Sequence, residues 1–85
     1  MTNEEFRQSL SKEQLRFLQD KYKESLNQVE DALELCGQLP CSDSLGYVGD
    51  KLYVASIYKD LLIDDSLNSL FYEHYKRYEN MYENM

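Results

Sequence analysis

The sequence predicts an all-α protein, a small three- to four-helix bundle formed as one domain over residues 1–85. Two long stretches repeat apolar residues at steps of three and four, the spacing of one helix face. Three Gly and one Pro leave little material for the turns of a β architecture. A chain this short builds a single core, and a modest one.

Taken in order, Thr2 with Glu5 three residues later reads as a capping box that opens a short helical turn carrying Phe6 and Leu10. Ser11 with Gln14 repeats the signal and starts the first long helix, from about residue 12 to 36. Its stripe is Leu15, Leu18, Tyr22, Leu26, Val29, Leu33 and Cys36, while Glu13, Asp20, Glu24, Asn27, Asp31 and Glu34 gather opposite. Gly37 is placed to supply a left-handed C-cap, and Pro40 blocks continuation. Phe17 and Leu35 fall on a flank, where Phe17 is expected to be covered by Phe6 and Leu10.

Residues 38–50 carry Pro, Gly, Ser and Asp and read as a loop, with a helical turn after Ser42 at most. Over 51–63 a helix is preferred. Val54, Ile57, Tyr58 and Leu61 make one face of it, and Leu52, Ala55 and Leu62 a second. The competing reading is a short β-hairpin within 47–58, turning at Gly49-Asp50. Asp64 or Asp65 then caps a long C-terminal helix, about 65–83, whose stripe is Leu67, Leu70, Phe71, His74, Tyr78 and Met81. Tyr-Glu-Asn occurs at 78–80 and again at 82–84, an echo given no weight at this level.

Little in the chain points to catalysis. Gly46 and Gly49 do not form a phosphate-binding array, and the one histidine, His74, sits on an apolar stripe and reads as a packed residue. Asp64-Asp65 is explained as a helix cap with first-turn charge. Cys36 and Cys41 are expected as reduced thiols, and with no further Cys and a remote His no metal site or cofactor is expected. No basic start leads into an apolar run, and no stretch is apolar enough to span a membrane, so an intracellular, cytoplasmic protein is expected.

Two features carry functional content. The net charge is −7, and residues 24–50 hold six acids without a base. Such a field disfavours direct contact with nucleic acid and favours a protein partner with a basic surface. Asp20, Glu24, Asp31 and Glu34 form a carboxylate row on the long helix, of which Glu24, Asp31 and Glu34 are read as lacking basic partners downstream, and Asp64 and Asp65 add a second acidic group. Tyrosine is also abundant, eight in all, with Tyr72, Tyr75 and Tyr82 around the last helix in positions suited to binding.

The expected function is therefore that of a small acidic inhibitor or modulator, not an enzyme, which engages a basic surface of a nucleic-acid-handling protein. In size, charge and helicity the chain resembles phage anti-defence inhibitors and toxin-immunity proteins. Carboxylates spaced along a helix also imitate a row of phosphates, as in nucleic-acid mimics. The alternative is a homodimeric or accessory helical subunit whose apolar stripes pair between chains.

Overall fold

The computed structural model describes residues 2–84, which form four helices and no strand. They are α1 (Asn3–Ser9), α2 (Lys12–Gln38), α3 (Ser42–Leu61) and α4 (Asp65–Glu83). The links between the long helices span only residues 39–41 and 62–64, and such short links force antiparallel neighbours. Accordingly α3 runs against both α2 and α4, while α2 and α4 run parallel. Near the start of α2, Tyr22 Oη donates to Asn68 Oδ1 at 2.8 Å; near its end, Gly37 faces Met81. The bundle measures 43 × 20 × 19 Å.

Each helix start has a local chemical cause. The Thr2 hydroxyl accepts from the Glu5 amide, and Ser11 with Gln14 forms a full reciprocal capping box. Cys41 and Ser44 make the same exchange at the start of α3, with Cys41 Sγ accepting from the Ser44 amide at 3.4 Å. The Asp64 carboxylate accepts from the Leu67 amide at 3.1 Å, so Asp64 rather than Asp65 is the α4 cap.

The expected stripes of α2 and α4 form the core. Tyr22, Leu26, Val29, Ala32, Leu33 and Cys36 of α2 meet Leu45, Val48, Leu52 and Ala55 of α3, with Leu67, Phe71 and His74 of α4. Burial of these side chains is the main stabilising term, on the order of 1.5–3 kcal/mol for each large one.

Four expectations are corrected here. Residues 42–50 are not a loop but the first half of α3, because Leu45 and Val48 continue the buried line of Leu52 and Ala55 back to Ser42. The hairpin reading of 47–58 falls with it. Gly37 is no left-handed cap. It lies within α2, which ends at Gln38 with Leu39 as its C-cap, and no described residue has positive φ. Of the two apolar faces read on α3, neither of them assigned to the core from sequence, the one with Leu52 and Ala55, continued by Leu62, is buried; Val54 and Ile57 are exposed because α2 and α4 lie on the other side. Finally, Phe17 remains 60% exposed; α1 folds onto the end of α3 and leaves an open apolar cleft between Phe6, Leu10, Phe17 and Leu18.

α1 itself buries none of its residues. Its anchors are polar: Asn3 Nδ2 donates to the Asp60 carbonyl and Arg7 Nη1 to that of Leu61, each at 3.2 Å. Among the described residues no helix is long and apolar enough to cross a membrane.

Candidate protein-binding face

The residues expected to bind a partner separate onto opposite sides of the bundle. Asp20, Glu24, Asp31 and Glu34 all project from the side of α2 directly opposite its buried residues, on a helix that turns roughly 100° per residue. Tyr72, Tyr75 and Tyr82 lie on α4, toward solvent and toward the groove it shares with α3. One flat partner surface cannot cover both sets.

The α2 row is also less isolated than its sequence implied. Lys21 reaches Glu24 at 3.4 Å across one helical turn, so Glu24 is not an unpaired carboxylate. Asp20, Asp31 and Glu34 have no such contact among the described ion pairs. Asp64 is committed to its cap, whereas Asp65 stands exposed two helical turns before Tyr72 on the same side of α4.

On α4 the aromatic rings form a continuous ladder. Phe71 and Tyr75 stack at 6.3 Å between centroids with planes 16° apart. Tyr75 to Tyr78 follows at 6.3 Å and Tyr78 to Tyr82 at 6.4 Å, while Tyr72 meets Phe71 edge-on at 5.6 Å. Three of its rings are exposed, Tyr72 by 57%, Tyr75 by 42% and Tyr82 by 65%, while Phe71 is buried and Tyr78 half-buried. Tyr53 of α3 stands across the groove from Phe71, Tyr75 and Tyr78. Stacked rings hold few conformations, so little order is lost when a partner covers them.

Charge is distributed unevenly along this ladder. At its start Lys59 Nζ stands 5.5 Å from the Phe71 ring centre and 5.6 Å from that of Tyr72, and 3.2 Å from the Asp60 carboxylate. Its hydrogen bond to Asp60 raises the lysine pKa above its ordinary value. At the other end Tyr75, Tyr78 and Tyr82 enclose a cleft of about 410 Å³ with Glu79 and Glu83, and neither glutamate has an ion-pair partner among the described contacts.

Sequence reasoning named Tyr72, Tyr75 and Tyr82 but missed Tyr53, Phe71, Glu79 and Glu83. The signal for the glutamates was present in the recurrence of Tyr-Glu-Asn. A repeat of four residues returns to the same helix side, so Tyr78 and Tyr82 align and Glu79 and Glu83 align beside them.

Among the described residues no group of three or more His, Cys, Asp and Glu could hold a metal ion. Cys36 is buried and Cys41 exposed, and both are free thiols. His74 is buried with neither ring nitrogen hydrogen-bonded.

Compared with known protein families, curated proteins and solved structures, the chain matches none.

Proposed function

We propose that this protein is a small acidic inhibitor or modulator that binds a basic surface of a nucleic-acid-handling protein and performs no catalysis of its own. The observation that carries this reading is the exposed tyrosine ladder of α4, bordered by Asp65, Glu79 and Glu83. Tyrosines offer large rigid contact area with a polar tip, and unpaired carboxylates beside them select a cationic partner. The α2 row on the opposite side acts at long range, adding to the negative field that draws a basic partner in. This division of labour is compatible with the physical type of phage anti-defence and toxin-immunity proteins, and with nucleic-acid mimicry only in the sense that both faces repel phosphates.

The test is calorimetry against a panel of purified basic nucleases and nucleic-acid-binding proteins. A panel member is expected to bind, with affinity abolished by the triple reversal Asp65→Lys, Glu79→Lys, Glu83→Lys. Reversal of Asp20, Asp31 and Glu34 to Lys is expected to slow association and flatten its salt dependence while leaving the bound complex intact. Capture indifferent to both triple variants would show the electrostatic reading to be wrong.

A second reading, a homodimeric or accessory helical subunit, is favoured by one feature of α3. Apolar residues surround this helix on all sides, and Tyr47, Tyr53, Val54 and Ile57 remain exposed. A helix apolar all round is normally covered all round. Gly46 shares that outer side with open space above it, and mid-helix glycine costs about 1 kcal/mol relative to alanine. A salt-resistant dimer in light scattering, broken by Ile57→Lys, supports this reading; a monomer at all concentrations removes it.

A further inference from the structure

We propose that the open end of the tyrosine ladder is a receptor for an arginine side chain of a protein partner. The inference rests on the basic-partner reading above and names the residue that the face recognises.

The chain already builds two cation sites of this kind from its own residues, and in the first Lys21 lies over the Phe17 ring beside the Glu24 carboxylate. In the second, Lys59 sits against the Phe71 and Tyr72 rings, with the Asp60 carboxylate completing its surroundings. The cleft farther along α4 offers the same components in greater number: the Tyr75, Tyr78 and Tyr82 rings with the Glu79 and Glu83 carboxylates. No described lysine or arginine stands over those three rings. Glu79 and Glu83 are four residues apart on one helix side, where like charges oppose helix formation, and a cation between them relieves that repulsion.

The geometry of the cleft favours guanidinium over ammonium. A planar guanidinium stacks on a phenol ring and at the same time presents paired N–H donors to a carboxylate. An ammonium is a compact, strongly hydrated point charge, with neither a plane to stack on a ring nor a fork to pair with a carboxylate. Adjacent rings are tilted by 41° and 35°, so their faces turn to more than one side and offer a flat cation a surface to stack on.

The experiment uses the full chain, isotopically labelled, in NMR titrations with two peptides of identical length, one carrying two arginines and the other two lysines. At equal ionic strength the arginine peptide is expected to bind several-fold more tightly, because a guanidinium stacks on a ring while pairing with a carboxylate through its fork. Its shifts should centre on Tyr75, Glu79 and Tyr82. Glu79→Gln with Glu83→Gln should remove binding of both peptides, and Tyr75→Leu with Tyr82→Leu should remove the preference for arginine. Circular dichroism of each variant checks that α4 is still helical.

Equal affinities for the two peptides, or shifts centred on the α2 carboxylates, overturn the arginine receptor while leaving a basic partner admissible. Arginine-selective binding at this cleft combined with no affinity for any panel protein would keep the receptor and discard the partner class. Shifts that appear only as the protein itself is concentrated would identify the arginine as that of a second copy and overturn the assignment to a foreign partner.

Discussion

Tyr78 of α4 lies over Gly49 of α3, so that a β-carbon at Gly49 would stand 3.2 Å from the phenolic oxygen. This contact lets the middle of the ladder settle into the α3–α4 groove. It also separates the two glycines of α3, since the corresponding point above Gly46 is open space. Gly46→Ala should therefore raise stability by about 0.5–1 kcal/mol, the helix-propensity gain undiminished. Gly49→Ala should gain less or lose, and should displace the Tyr78 ring. Urea midpoints for the two variants, with the Tyr78 ring resonances, check both statements.

The hydrogen bond from Tyr22 to Asn68 ties α2 to α4 at 2.8 Å from a fully buried ring. Burial, with Asp64, Tyr72 and Asp60 nearby, raises the phenol pKa, so its proton stays in place as the donor. Tyr22→Phe should cost about 0.5–1.5 kcal/mol, because the part-exposed Asn68 can turn to water. Tyr22→Ala should cost about 3–5 kcal/mol through the cavity it leaves. Chemical denaturation of the two variants separates the bond from the packing.

His74 gives the fold a pH dependence whose sign follows from its surroundings. Burial depresses its pKa, with Arg77 acting in the same direction and Glu30 and Glu73 against. The unfolded chain takes up a proton near its ordinary value of about 6.5, whereas the folded chain resists it. Stability is thus fully present above that pH and is lost as the pH falls below it, until the folded form also protonates. His74→Leu should abolish the slope that opens below about pH 6.5 and, by removing two orphaned nitrogens, should add about 1–2 kcal/mol at pH 7. Denaturation midpoints across that range test it.

The two thiols should differ sharply in reactivity. Hydrogen bonds from Ser44 lower the pKa of the exposed Cys41 at the start of α3, while Cys36 lies in the core. Thiolate is the reacting species, so a thiol reagent at pH 7 should label Cys41 in the native state and reach Cys36 only on unfolding. Equal labelling rates would contradict this packing of Cys36. Cys41→Ser should keep the helix start, since a hydroxyl caps at least as well as a thiol.

How far each helix was legible in the sequence depended on how cleanly it divides its faces. α2 and α4 each have one apolar side, and both were located within two residues of their ends. α3 has no polar side. With Leu45, Val48, Leu52 and Ala55 packed inward and Tyr47, Tyr53, Val54 and Ile57 outside, its periodicity is flat. Gly46, Gly49 and Asp50 then argued for a loop that burial overrode. Of the candidate face, the tyrosines were visible as a surplus. Their division from the α2 carboxylates was not, because that depends on how three helices are arranged around one core. The pairing of Glu24 with Lys21 was within reach of sequence, since a turn-spaced pair can form in either direction along the helix.

The attachment of α1 carries a consequence for motion. Asn3 and Arg7 donate to the carbonyls of Asp60 and Leu61, end groups that a helix cannot satisfy from its own backbone. With no buried side chain of its own, α1 is held by little else, so detaching it costs far less than opening the three-helix core. In hydrogen exchange, α1 and the last turn of α3 should open together as one low-energy unit. Arg7→Ala should accelerate both, and the amides around Tyr22 and Leu33 should register nothing.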